Sequence, residues 1–332
     1  MKVAVFGTKS YDRRFISAAA CQPLEFTFLE PRLGPDTVAL AEGHDAVCLF
    51  VNDRADGQIL ESLAELGIHT IALRCNGFNN IDLSVAEKNE IAIYRVPAYS
   101  PHAVAEHAFA LIFSLNRKTH RAYNRTREGN FELEGLLGFD LVERTVGVIG
   151  TGEIGRVFAQ IARGFGCKVI ACDPHPNTCW ADEAGVLYRE LEELLAESEV
   201  ISLHCPLTAA THHLINDAAF AQMRDGVMLI NTGRGGLIDT TAAIRALKSK
   251  RLGYLGMDVY EEEAELFFED RSLQILQDDE LARLMTFPNV LVTGHQGFFT
   301  TQALSAIAET TVASLVAVAR GETPDERCRV KR

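Results

Sequence analysis

The stretch that decides the fold is 146-VGVIGTGEIGRVFAQIARGFGCKVIACD-173. It opens with an apolar run, passes through Gly150, Gly152 and Gly155, and continues with Ile154, Phe158, Ile161 and Ala162 at helical spacing. It closes on a second β-rich run that ends at Asp173. Gly-x-Gly-x-x-Gly spacing alone is a weak signal. A strand before it, a helix after it and an acid about 20 residues further on turn it into a βαβ unit of the dinucleotide-binding kind. Each glycine then serves a different purpose. Gly150 permits the tight turn, Gly152 lets backbone amides approach a pyrophosphate, and Gly155 brings the helix close to the sheet.

The helix N-terminus favours negative phosphates. Asp173 is placed to accept hydrogen bonds from ribose hydroxyls, and its carboxylate would repel a 2′-phosphate. The adjoining "DPHPN" holds no arginine to bind one. The expected cofactor is therefore NAD rather than NADP.

Outward from this unit, short β-rich runs alternate with helical patterns along the chain, the signature of an α/β protein with parallel sheets. Strands are expected at Lys2–Phe6, Glu25–Leu29, Ala46–Val51, His69–Leu73 and Ile91–Tyr94, with helical stretches such as Asp56–Leu66 and Ser84–Lys88. Ser84 and Glu87 have capping-box spacing. A second series is expected at Val146–Ile149, Lys168–Ala171, Val200–Leu203, Val227–Ile230, Gly253–Met257 and Val290–Val292.

Between the two series, the pattern from Ser100 runs to Gly129 without a breaker and reads as one long connecting helix, basic toward its end. A last helical pattern, Thr301 to Arg320, follows the final strand and is expected to return to the first domain. The predicted architecture is two doubly wound parallel-sheet domains: a Rossmann NAD-binding domain, residues 100–297, inserted into a discontinuous flavodoxin-like substrate domain, residues 1–99 and 298–332.

The chain has 332 residues, a formal net charge of −13, 47% hydrophobic and 23% charged residues, and a mean hydropathy of +0.04. The negative balance argues against a nucleic-acid partner. No segment approaches the roughly 18 uninterrupted apolar residues of a membrane span, and "MKVAVFG" lacks the pattern of a signal peptide. A cytoplasmic location is expected. The eight cysteines show neither Cys-x-x-Cys nor zinc-finger spacing and read as reduced thiols. His204 and the His212–His213 pair lack a sequence neighbourhood that makes a metal site, so no metal is expected.

A nicotinamide enzyme acting on an oxo acid needs a cation for the carboxylate, a proton donor at the carbonyl oxygen and a group that orients the donor. "INTGRGGLID", Ile230 to Asp239, supplies Arg234 at the carboxyl end of a strand, where open α/β sheets bind ligands. Its planar fork can hold a carboxylate by two hydrogen bonds. "LVTGHQGFFT" supplies His295 after the last strand, and "LGMDVYEEEAELF" offers Asp258, Glu261, Glu262 and Glu263 as its carboxylate partner. Such a partner would hold the imidazole and favour its protonated form. Spacing alone leaves the choice among the glutamates open.

Taken in order, "VPAYSPHAVAEHA", "GVIGTGEIG", "HCPLT", "LINTGRGGLID", "GMDVYEEE" and "GHQGFFT" make the chain resemble, over essentially its whole length, the D-2-hydroxyacid dehydrogenase family, and within it the D-lactate dehydrogenase branch. The resemblance implies NADH-dependent, reversible reduction of pyruvate to D-lactate. Arg234 would anchor the substrate carboxylate, Glu263 partner the histidine, and His295 act as general acid. It further implies substrate contacts from Asn76 and Gly77 in "RCNGFNNID", from Tyr99, and from Phe298 and Phe299. For the cofactor it implies Glu153 and Ile154 at the phosphates, Cys205, Pro206 and Thr211 along the dinucleotide, Thr232, Gly233 and Arg234 beneath it, and Asp258 at the nicotinamide amide. The family's habits imply a homodimer or homotetramer. Dehydrogenases for larger 2-oxo acids and NAD-sensing regulatory proteins are the competing readings.

Overall fold

The computed structural model describes residues 1–263 and 266–331; Ala264 and Glu265, inside the acidic stretch, and Arg332 lie outside the described residues. The chain divides into two compact units, Met1–Ser100 with Phe299–Arg332, and Pro101–Phe298.

The first unit opens with β1 (Lys2–Val5), α1 (Ser10–Ala19), β2 (Glu25–Phe28), β3 (Ala46–Leu49), α2 (Gly57–Glu65), β4 (Thr70–Leu73), α3 (Leu83–Lys88) and β5 (Ala92–Tyr94). Its five strands are parallel, in the order β2-β1-β3-β4-β5. That is the flavodoxin-like arrangement. β3 and β4 are buried at every position, so both faces are covered and the strands read as unbroken apolar runs. Asp82, rather than Ser84, caps α3, accepting from the amides of Ser84 and Val85. The serine sits inside the first turn, where its hydroxyl donates to the same carboxylate at 2.6 Å.

The second unit begins with α4 (Pro101–Arg117) and α5 (Thr119–Arg127). The expected continuous helix is broken at Lys118, which adopts left-handed angles of φ 49 and ψ 37. Tertiary bonds account for the break. Lys118 Nζ donates to the Leu137 carbonyl at 2.6 Å, while buried Asn116 accepts from Phe139 N and donates to Phe139 O at 2.8 and 2.7 Å. These bonds anchor residues 137–139 and offset a strain of about 1–3 kcal/mol.

There follow β6 (Thr145–Ile149), α6 (Glu153–Gly164), β7 (Lys168–Cys172), α7 (Thr178–Ala184), β8 (Val186–Tyr188), α8 (Leu191–Glu197), β9 (Val200–Leu203), α9 (Asp217–Gln222), β10 (Val227–Asn231), α10 (Thr240–Lys248), β11 (Leu252–Met257), α11 (Asp279–Met285) and β12 (Val290–Val292). The sheet order is β12-β11-β10-β9-β6-β7-β8, all parallel. β8 is the strand that the sequence pattern misses. It is a three-residue edge strand paired, among the described residues, with β7 alone, and its Leu187 faces solvent, so it carries no continuous apolar run. The strand order reverses between β6 and β9, and such a switch point opens a crevice beyond the carboxyl ends of the strands.

α12 (Thr301–Ala319) returns to the first unit. By length and hydropathy it is the one helix among the described residues that could cross a bilayer. Here it buries Ala308, Val312 and Leu315 against Val3, Val5, Ile16 and Ala72 of the five-stranded sheet and α1.

Candidate active site

The loop after β6 shows three glycines required for three different reasons. Gly150 has φ +94, and a Cβ there would lie 2.6 Å from Cys205 N and 2.7 Å from the His204 carbonyl carbon, so β6 and the segment after β9 touch through bare backbone. Gly155, in the first turn of α6, would place a Cβ 2.0 Å from Gly150 O. Gly152 is the N-cap, and around its Cβ position no atom of the described residues beyond its immediate chain neighbours lies within 4 Å. Protein fills the space at Gly150 and Gly155. At Gly152 the space is open, next to the first-turn amides of α6, Glu153 and Ile154 among them, which a helix leaves without intrahelical acceptors.

Asp173 stands at the end of β7. Its carboxylate accepts from Thr151 N at 2.6 Å, Thr151 Oγ1 at 3.0 Å and His175 N at 2.9 Å. Burial opposes its ionisation, but these hydrogen bonds outweigh burial and hold the carboxyl below its usual range. An ionised acceptor is therefore fixed beside the glycine loop. Burial pushes the Cys205 thiol up to about 11, which keeps it protonated. Thr211 closes its own loop, with its hydroxyl donating to Pro206 O at 2.6 Å and accepting from Thr208 N at 2.8 Å. Among the described residues, the buried hydroxyl of Thr232 finds no partner. An open glycine at a helix N-terminus, an ionised acid at the next strand end and an orphaned hydroxyl after β10 suit a bound dinucleotide.

Buried Asn231 shapes the next loop, accepting from Gly233 N at 3.0 Å and donating to Arg234 O at 2.8 Å. Arg234 is half-buried; Nη1 donates to Gly233 O at 2.8 Å, and it forms no ion pair among the described residues. Gly235 explains the loop's composition. A Cβ there would lie 2.0 Å from the Tyr260 carbonyl carbon and 2.3 Å from Glu261 N, so the loops after β10 and β11 meet backbone to backbone.

The three glutamates left open by spacing separate in space. Glu263 Oε1 lies 2.8 Å from His295 Nδ1, and its other oxygen accepts from Tyr260 N at 2.9 Å. Glu261 Oε1 instead meets His213 Nε2 at 2.6 Å. Glu262 is exposed. His295 itself has φ +53, a conformation unfavourable outside glycine. It is held by its amide, which donates to Asp258 O at 2.7 Å.

Asp258 is 1% exposed. Its carboxylate accepts from Thr293 Oγ1 at 2.5 Å, Gln296 N at 2.9 Å and Gly297 N at 2.7 Å, with His107 Nε2 3.1 Å away. Burial works against ionisation, and the bonds from His107, Thr293 and Gln296 outweigh it, holding the carboxyl below its usual range. Asp258 thus organises the 293–297 turn that presents His295. Three of these contacts fall on Oδ1 and one, from Gly297 N, on Oδ2. His107, on α4, carries no sequence signal for this part, because its partners lie far along the chain.

Phe298 is buried with its ring edge-on to His295, centroids 6.5 Å apart, whereas Phe299 packs edge-on against Tyr11 at 4.8 Å in the first unit. Asn76 and Tyr99 also belong to the first unit. The Asn76 side chain donates to Pro97 O at 2.7 Å and accepts from Arg95 Nη1 at 2.8 Å, tying the 75–77 loop to the strand end before Tyr99. Gly77 O faces the Cys75 thiol at 3.3 Å. His204 Nε2 lies 2.9 Å from Ser202 Oγ, and burial lowers the imidazole to about 3, making it a neutral packing residue.

Comparison with known proteins agrees with this geometry. Residues 109–297 match the model of the D-isomer specific 2-hydroxyacid dehydrogenase, NAD binding domain. The chain is 51% identical to a D-lactate dehydrogenase of Escherichia coli (strain K12), over 98% of this chain and 99% of that one. The apo structure of D-lactate dehydrogenase from Escherichia coli superposes with a TM-score of 0.90 at 47% identity, covering 100% of both chains. D-lactate dehydrogenase with NAD+ from Lactobacillus jensenii gives 0.82 at 32% identity, again over 100% of both. Full-length relatives at this identity, joined to the glycine loop, Asp173 and the arginine, glutamate and histidine set, lead to one conclusion: this chain belongs to the D-isomer-specific 2-hydroxyacid dehydrogenase family and is an NAD-dependent oxidoreductase.

Proposed function

We propose that the chain reduces pyruvate to D-lactate, reversibly, and that Arg234, Glu263 and His295 carry the reaction. The observation that supports this most is the 2.8 Å contact between His295 Nδ1 and Glu263 Oε1, in the unit whose β10 ends in the Arg234 loop. When bound, NADH supplies the hydride for C2 of the oxo acid. Arg234 holds the substrate carboxylate through two charge-assisted hydrogen bonds. With Nδ1 committed to Glu263, His295 uses Nε2 to give its proton to the carbonyl oxygen, and Glu263 stabilises the charged imidazole before transfer. In the reverse direction the neutral imidazole takes that proton back.

In this reading Gly150, Gly152, Gly155 and the first-turn amides hold the pyrophosphate, and Asp173 holds the ribose. Asn76, Gly77 and Tyr99 are the further residues proposed for substrate contacts, and Phe298 and Phe299 those proposed for apolar surface. The enzyme works in the cytoplasm as a homodimer or homotetramer; the free state of all eight cysteines supports a reducing compartment. The decisive experiment is NADH oxidation with pyruvate, phenylpyruvate and 2-oxoisocaproate in parallel, followed by chiral analysis. Rapid formation of D-lactate is expected. A preference for a larger acid would retain the mechanism and change the substrate, whereas NADH binding without turnover would make the chain a cofactor sensor.

A further inference from the structure

The loop between β9 and α9 carries His212 and His213, and the fold brings Glu261 to them from the loop after β11. Glu261 Oε1 lies 2.6 Å from His213 Nε2 and 4.0 Å from His212 Nε2. The two imidazoles stack with centroids 3.9 Å apart, and the candidate donor atoms of all three residues lie within 4.8 Å of one another. His213 is held at φ +50, its amide donating to Gly236 O at 2.8 Å and its carbonyl accepting from Asn216 Nδ2 at 3.0 Å. Glu261 is steadied through its other oxygen by Thr240 Oγ1 at 3.4 Å.

A His213–Glu261 ion pair alone does not explain why a second imidazole is stacked alongside with its Nε2 near the same carboxylate. Two imidazole nitrogens and one carboxylate oxygen form the donor set of a three-ligand zinc site that leaves a fourth position to solvent. Metal–ligand bonds of about 2.0–2.2 Å place tetrahedral donors about 3.3 Å apart. The His213–Glu261 pair would open by less than about 1 Å, and the His212 side chain, 54% exposed, would tilt out of the stack so that its Nε2 lone pair converges with that of His213, moving inward by up to about 1.5 Å.

We propose that His212, His213 and Glu261 bind one divalent cation of the zinc class. Both imidazoles coordinate through Nε2 in their neutral form. The proton now lying between His213 and Glu261 is displaced, either to Nδ1 or to solvent. This site is separate from the catalytic pair and clamps the loop after β9 to the loop after β11.

The full-length, metal-free protein without a histidine tag is titrated with zinc by calorimetry. Saturable uptake of one equivalent per chain is expected. His212→Ala and Glu261→Gln should each weaken it at least tenfold. Zinc should raise the unfolding midpoint of the wild type and leave that of His212→Ala in place. Midpoints in EDTA show that each variant is folded before metal is added. Cobalt(II) provides an independent reading, because its four-coordinate visible bands should appear in the wild type and vanish in His212→Ala. Absence of saturable binding by the wild type, or equal affinity in both folded variants, would overturn the assignment; the latter would place the metal elsewhere, as at the exposed thiols of Cys21 or Cys179.

Discussion

The glycine loops after β6 and after β10 look alike in sequence and do opposite things. At Gly152 the space where a side chain would begin is open, with no atom of the described residues beyond its chain neighbours within 4 Å. At Gly235 it is filled by the Tyr260–Glu261 backbone at 2.0 to 2.3 Å. The first loop keeps a glycine so that something outside the chain can approach. The second keeps one so that two segments of the chain can touch, which joins the arginine loop to the segment that leads to Glu263. A glycine-rich turn is thus defined by what occupies the missing side chain's place.

This contrast can be broken from the catalytic side first. His295→Gln should lower the rate of pyruvate reduction by about 10²–10⁴-fold with NADH affinity intact, measured by steady-state kinetics beside cofactor titration. Near-normal turnover would remove the histidine from the chemistry. Arg234→Lys keeps the charge and loses the fork, and kcat/KM should fall by about 10²–10³-fold. A small change would mean that the loop after β10 serves structure alone.

The two glycines can then be compared directly. Gly235→Ala forces backbone apart and should cost about 1–3 kcal/mol in chemical denaturation of the apo protein, with activity falling alongside. Gly152→Ala, at an ordinary φ of −65 and in open space, should leave apo stability within about 0.5 kcal/mol. Its effect should be a roughly tenfold loss of NADH affinity. If Gly152→Ala destabilised the apo protein while Gly235→Ala did not, the distinction between the loops would fail.

A third loop end gives the smallest and most gradual effect. The Asp258 carboxyl is held below its usual value of 3.8 in the folded chain, because hydrogen bonds from His107, Thr293 and Gln296 outweigh burial. A depressed folded value means that the unfolded chain takes up the proton first. The group therefore adds stability above pH of about 4 that is lost as pH falls through the folded value. Asp258→Asn should flatten the acid side of the stability profile. An unchanged acid limb would show that the turn holding His295 does not depend on this charge.

Much of this was legible in the residues themselves. Gly150, Gly152, Gly155 and Asp173 declare their unit because a strand, a turn and a helix are local events with local spacing rules. β9 falls at Val200–Leu203, where the apolar run puts it, since a strand buried on both faces needs unbroken apolar sequence. Local pattern did not reveal β8, an edge strand with little to bury, or the break at Lys118, which answers to a bond with a residue 19 positions away. Nor did it join His107 to Asp258.

The sequence by itself determined the two-domain α/β plan, the cofactor unit and the candidate residues proposed for the chemistry. Spacing left Glu261 and Glu263 equivalent and the resemblance named Glu263; the contacts themselves, Glu263 beside His295 and Glu261 beside His213, two residues apart on one loop, were decided by the tertiary structure alone. The physical reason is that a side chain's partner depends on which strand ends the sheet order brings together. That information is carried by long-range packing and has no period in the chain.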